Sequence, residues 1–202
     1  MKNTILRKST MVLLSGSVLL LAACSSNVQH ESVMKSEPMK MEKPFGTAKA
    51  IAYSEKLWSQ LEKANLVGNN AIETVPYKGM PPHGAILESV SSKVTVDGHE
   101  GTVYVKRNYG GAGITRSKVA NDLKQYLKAV TVMFKREMGY DSDNKDWYWV
   151  KYKANGSLHS NPKGMKLAGR VAKGMNMGCI ACHRAASGGD YLFNNTATQL
   201  DY

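Results

Sequence analysis

Residues 179 to 183 read Cys-Ile-Ala-Cys-His, and their spacing defines one chemistry more sharply than any other stretch of the chain. Two thiols three residues apart, followed at once by an imidazole, form the attachment signature for c-type haem. The sulfurs of Cys179 and Cys182 add to the porphyrin vinyl groups, and His183 binds iron through a neutral ring nitrogen. A single helical turn presents the three side chains along one edge of the macrocycle. Three other chemistries use the same residue types. A thioredoxin-like pair should open a helix after a strand in a βαβ unit, and no such pattern precedes Cys179. Structural zinc needs four nitrogen or sulfur ligands, and no second Cys pair exists. A plain disulfide leaves His183 without a role.

The first residues set the compartment in which such a group is attached. Lys2, Arg7 and Lys8 precede an apolar run, Met11 to Leu21, which is too short to span a bilayer and reads as the core of a signal peptide over residues 1–23. Leu21-Ala22-Ala23-Cys24-Ser25-Ser26 resembles a bacterial lipobox, with Cys24 as the lipidated first residue of the mature protein. The alternative is ordinary cleavage at a small-residue site that happens to hold a cysteine. Stable anchoring needs more than one acyl chain, and a diacylglyceryl group plus an N-acyl chain supplies that. Export agrees with covalent haem attachment outside the cytoplasm. Ser25 in place of Asp favours the outer membrane, so the expected location is the periplasm, lipid-anchored. The cysteines are then fully used: Cys24 for lipid, Cys179 and Cys182 for haem, with no disulfide left over.

Loss of Lys2, Arg7 and Lys8 lowers the formal net charge from +11 to +8. A basic surface usually suggests nucleic acid, but an exported chain does not meet chromosomal DNA. The surplus serves acidic redox partner proteins or anionic surfaces, or is simply a solvated face.

Residues 24–47 are rich in Ser, Lys, Glu, Met and Pro and read as a flexible tether. Met34, Met39 and Met41 could suggest copper binding, but spacer composition is the safer view. One domain follows, residues 48–202, long enough to bury about 70% of its extended-chain surface in a single core. It opens with a helix over Ala48 to Ala64, where Ile51, Trp58 and Leu61 share a face. Gly68, Asn69 and Asn70 break it. Beyond Pro76 the signals are those of strands. Thr102 to Arg107 alternates between Asp97-Gly98 and Gly110-Gly111, and Val130 to Phe134 and Trp147 to Tyr152 are β-branched or aromatic. Ser117 to Tyr126 has helical content, and helix returns around Cys179. The sum is a β-rich α+β domain. This excludes four-helix cytochromes, whose bundles hold no such strands. It also excludes electron carriers of the first class, which need a long chain after C-x-x-C-H to deliver an axial Met; only 19 residues follow His183.

Four pieces in order, Pro82-His83-Gly84, Gly101 to Lys106, Asp146 to Trp149, and Cys179 to His183 followed by Asp190-Tyr191-Leu192-Phe193, give the chain a resemblance to the cytochrome P-460 family, which includes the β-sheet cytochromes c′-beta. The resemblance spans roughly Trp58 to Phe193. It implies an antiparallel sheet with flanking helices and a C-terminal haem-bearing helix, a homodimer, and one covalent haem c. The iron would be five-coordinate with a distal side open to small nitrogen oxides.

Lys106 separates the functions within that family. The resemblance implies that the amine of a lysine closing such a Gly-Thr-Val-x-Val-Lys strand bonds to a porphyrin meso carbon in members that oxidise hydroxylamine. The amine must be neutral to act as a nucleophile, and burial beside an apolar group favours that state. Alternation puts Lys106 with Thr102 and Tyr104 and turns Val103 and Val105 the other way. The competing view is a strand lysine facing water. The same members carry a distal carboxylate, a general base, whereas Leu127 to Met133 contains no acid and Thr131 falls nearest to that place. His83 and Tyr104 are possible substitutes, although a histidine after two prolines is more often part of a turn. Met165, Met175, Met177, His99 and His159 are candidates for a sixth iron ligand. Three functions remain open: hydroxylamine oxidation towards nitric or nitrous oxide, nitric oxide binding without turnover, and simple electron transfer.

Overall fold

Strand alternation divides the chain between two faces of one sheet. The computed structural model describes residues 43–193 and 198–199. The signal segment, Cys24 and residues 24–42 of the tether lie outside these residues. Helix α1 (Ala48–Lys63) starts at Thr47, whose hydroxyl accepts a 3.1 Å hydrogen bond from the Ala50 amide and so satisfies one of the free N–H groups of the first turn. Its buried face centres on Tyr53, Ser54, Leu57 and Leu61, with Ile51 and Trp58 on the flanks.

The strands are β1 (Tyr77–Lys78), β2 (Ile86–Val96), β3 (His99–Tyr109), β4 (Leu127–Lys135), β5 (Trp147–Tyr152) and β6 (Ala168–Gly169), paired antiparallel in that spatial order. Short β7 (Thr198–Gln199) pairs parallel to β2. Two short helices, α2 (Arg116–Asn121) and α3 (Leu123–Tyr126), connect β3 to β4, and α4 (Cys179–His183) lies near the C-terminus. Asp97 and Gly98 join β2 to β3 with φ of 50° and 81°. Positive φ at both positions matches the right-handed twist of the strands, which is why Asp-Gly makes a tight hairpin.

Cross-strand register fixes the faces. Val90, Val105, Val132 and Val150 line up across β2 to β5. With Val103, Val130, Phe134, Tyr148 and Tyr152, they form the main core beneath α1. On the opposite face the aligned row is Ser89, Lys106, Thr131 and Lys151, and beside it run Ser91, Tyr104, Met133 and Trp149. A second cluster covers part of that face: Phe45, Met133, Trp147, Trp149, Val171 and Ile180, with Cys179, Tyr191 and Leu192 packed against it. Trp147 and Trp149 therefore serve as core.

Residues 43–47, expected to end the tether, are built into the domain. Phe45 is buried and bridges to Gly169, Gly46 N–H donates to Ala168 O at 2.8 Å, and Arg170 N–H donates to Pro44 O at 2.9 Å. One large ring in a polar stretch is enough to draw the backbone onto the sheet edge, so the domain starts by Lys43.

A buried ion pair ties down the end of the core face. Glu88 and Arg107 oppose each other across β2 and β3, 3.1 Å apart and almost fully buried. Glu88 also accepts from Tyr109 Oη and the Thr74 amide, while Arg107 donates to Ile72 O. The pair thus fixes the segment leading into β1. Removing one partner would strand a buried charge, which typically costs about 3–5 kcal/mol.

Candidate haem site

The thiol-bearing turn is held against the second cluster by its own apolar residue. Ile180, buried inside α4, accounts for the Cys-x-x-Cys spacing structurally, because it faces the sheet while Cys179 and Cys182 flank it. Gly178 precedes the turn with φ 113°, and a Cβ there would stand 2.6 Å from the Ala172 Cβ. Both thiols are free, Cys179 partly covered and Cys182 exposed. Burial pushes the Cys179 thiol up to about 11, so in this structure it is a protonated thiol.

His183 is held by three contacts. Its Nδ1–H donates to Tyr191 O at 2.7 Å, which fixes the tautomer and leaves the Nε2 lone pair free. A backbone carbonyl on the second ring nitrogen is the usual partner of a metal-bound histidine. Trp149 and Phe193 meet the ring edge-on, with centroids 4.9 and 5.2 Å away. Desolvation lowers its pKa, which favours the neutral form a ligand needs. The segment after α4 that delivers Tyr191 is itself clamped. Asp190 accepts from Lys135 Nζ at 2.8 Å and from Trp147 Nε1, and the Lys135 ammonium lies 4.5 Å over the Trp147 ring. Arg184 donates to Asn144 at 2.8 Å and ties the far end of the turn.

Lys106 lies on the same face of the sheet, between Ser89 and Thr131. Burial lowers its pKa, and its charge bears on both His183 and His83. The alternation expected from sequence holds, since Val103 and Val105 are in the opposite core. The site therefore brings Lys106, Thr131, His83 and His183 together. The ring centroids of His83 and His183 are 6.2 Å apart.

Other candidate ligands are elsewhere. His99 faces the Phe134 side and contacts Lys135 O at 3.0 Å. Met175 and Met177 are exposed, and Met165 packs at the edge of the second cluster. His159 sits in the bridge region after β5, its amide donating to Lys151 O.

Asn108 and Tyr191 contact the ring nitrogens of His83 and His183, contacts that the sequence does not reveal. Tyr191 contributes a carbonyl, so its side chain carries no signal. Asn108 sits where β3 and β4 slip register, a bulge of the kind that re-aims side chains beside sites.

The donor set fits a covalently attached haem. Two free thiols on one turn, a tautomer-fixed neutral imidazole and an apolar, aromatic wall are the features that group requires. The family model described as Cytochrome P460 matches residues 66–194. No curated protein and no solved structure matches the chain.

Proposed function

Since the chain belongs to the cytochrome P460 family and is a haem-binding cytochrome, we propose that it carries one haem c on Cys179 and Cys182, with His183 on iron and Lys106 bonded to the porphyrin, and oxidises hydroxylamine towards nitric or nitrous oxide. The observation that carries this reading is Lys106. It is a half-buried strand lysine, shifted by burial towards its neutral form, on the face that holds His183. A neutral amine is a nucleophile and an ammonium is not. The haem supplies redox chemistry at its iron. The protein would orient it through His183, whose Nδ1–H is held by Tyr191 O and whose ring is flanked by Trp149 and Phe193, while burial shifts the Lys106 amine towards its neutral form.

The basic balance of the chain supports electron delivery to an acidic redox protein. The N-terminal sequence supports export and anchoring through Cys24 in the periplasm, towards the outer membrane. Family resemblance supports a homodimer. Cells fed a labelled fatty acid should label the wild type and not Cys24→Ser.

A second reading, nitric oxide binding without turnover, is favoured by one observation. Thr131 stands beside Lys106 and offers a hydroxyl, a poor base, where an oxidising enzyme needs a proton acceptor. The purified protein decides. Hydroxylamine consumption coupled to an electron acceptor, together with a ferrous absorption band far to the red of ordinary haem c, supports oxidation. An ordinary haem c spectrum with nitric oxide binding and no consumption supports the second reading.

A further inference from the structure

Tyr191 presents its carbonyl to His183 from a backbone conformation that tyrosine rarely adopts. Its φ is 60°, in the left-handed region where a Cβ crowds the following carbonyl and glycine is the usual occupant. Such a residue persists only where its surroundings over-determine it, and these outliers gather at functional sites. The surroundings here are specific. The Tyr191 ring meets Trp149 edge-on, with centroids 6.3 Å apart, and its Oη donates to Asp143 O at 3.3 Å. The residue before it is gripped more firmly. Trp147 Nε1–H donates to Asp190 O at 3.0 Å and to Asp190 Oδ1 at 3.2 Å. The chain upstream is Ser187-Gly188-Gly189, and a Cβ at Gly189 would meet nothing within 4 Å. The grip on Asp190 therefore comes from the sheet and not from packing at the glycines.

Two groups hold Asp190, and burial ranks them. Lys135 pairs with its carboxylate at 2.8 Å, but the two side chains are 34% and 46% exposed, and ion pairs in contact with water contribute little. Trp147 is 1% exposed, and a buried indole N–H that loses its partner carries the full cost of desolvation. Trp147 is the anchor. Lys135, opposite it on β4 and lying over its ring, is an accessory. Alternation places Trp147 and Trp149 on one face of β5 and Tyr148 on the other. One indole bonds the segment that carries the carbonyl, and the other flanks the imidazole that donates to it.

We propose that Trp147 is a positioning residue for the iron ligand: through Asp190, its N–H holds the Tyr191 carbonyl on the Nδ1–H of His183 and so sets how strongly Nε2 donates to iron. This rests on the haem reading above, and on neither hydroxylamine turnover nor the Lys106 bond. A carbonyl accepting from Nδ1–H makes the imidazole a stronger donor, and a stronger donor favours ferric iron over ferrous. Hydrogen bonding behind the ligand is one of the levers a protein has on haem potential. The grip on Asp190 thus lowers the reduction potential.

Trp147→Phe keeps an aromatic ring and removes the N–H. In the purified holoprotein it should raise the reduction potential and lower the ferrous iron–histidine stretching frequency in resonance Raman spectra. A tenfold loss of ferric over ferrous preference, the lower end of the ~10–100-fold effects typical of outer-shell partners, reads as a rise of about 59 mV for one electron. Asp190→Ala, which keeps the backbone acceptor, should shift both readings the same way by less, and Lys135→Met least. Leu57→Ala, in the opposite core, controls for lost stability and should move neither. Wild-type potential and frequency in Trp147→Phe would overturn the proposal, as would an equal shift in Leu57→Ala. Should Trp147→Phe fail to accumulate, Asp190→Ala decides: a raised potential supports the proposal, and wild-type values overturn it. A protein without haem overturns the haem reading and this one together. A haem protein unmoved by these substitutions overturns this one alone, whatever its hydroxylamine turnover.

Discussion

The two faces of the central sheet are made by the same strands and differ in nearly every physical respect. Beneath α1, valines interlock with Phe134, Tyr148 and Tyr152, and the tyrosine hydroxyls reach carbonyls of α1: Tyr148 to Ala50 O at 2.6 Å and Tyr152 to Ser54 O at 2.7 Å. That face is buried, and most of its polar groups have partners within the protein. The opposite face carries serines, Lys106, Asn108, Thr131 and Trp149, and its imidazoles keep free ring nitrogens. One face supplies stability and the other leaves donors uncommitted. A period of two makes this possible, because adjacent residues on a strand can belong to different tasks.

The most severe break of the comparison is removal of its chemistry. Cys179→Ala with Cys182→Ala should abolish haem that survives denaturing electrophoresis, read by peroxidase-active staining. Free extraction of haem from the native protein into acidic butanone would refute covalent attachment.

Next comes the same substitution on adjacent residues. Val132 is buried among valines and Thr131 faces Lys106. Val132→Glu should prevent folding or destabilise the domain by at least about 3 kcal/mol, since an unpaired charge enters an apolar core. Thr131→Glu should fold, as read by chemical denaturation. Equal stability of the two variants would mean that the faces are misassigned.

A smaller effect separates stability from spectrum. Leu57, fully buried beneath the valines, should lose about 2–5 kcal/mol on change to Ala with the haem absorption unchanged. Lys106→Ala should do the reverse, returning the spectrum to that of ordinary haem c and ending hydroxylamine turnover.

The subtlest test adds the missing base. Thr131 Oγ1 is 3.5 Å from His83 Nδ1, so Thr131→Glu places a carboxylate beside the site. It should raise hydroxylamine turnover, within the 10²–10⁴-fold that positioned bases typically contribute. No change in a cross-linked protein would mean that a base is already present.

The α1 helix, β3, β4 and β5 are legible in the sequence because their periodicity is strong and their residues favour the state they adopt. Strand β2 is harder to read. Its Leu87-Glu88-Ser89-Val90-Ser91-Ser92 looks polar, since Glu88 is buried opposite Arg107 across the ladder, and Ser89 and Ser91 lie on the face of Lys106 and Tyr104. Phe45 is a lone aromatic in a tether-like composition, and its burial depends on Gly169, far along the chain. The thiol turn is fully legible, because the Cys-x-x-Cys-His signature is a local spacing. His83 is legible only as a turn residue. Its tautomer is set by Asn108, whose orientation is set by Ala129 across a strand pair, and no local pattern encodes that chain of contacts.

The most direct test of the central claim, that Lys106 is joined to a haem carried by Cys179 and Cys182, is mass spectrometry of the tryptic haem peptide. Cleavage after Lys173 and Arg184 should release Gly174 to Arg184 with haem on its two thiols. The account predicts that this species also contains Val94 to Arg107, bonded through Lys106, with cleavage after Lys106 blocked. Recovery of an unmodified peptide ending at Lys106, alongside a haem peptide holding only the Cys179 segment, would contradict it.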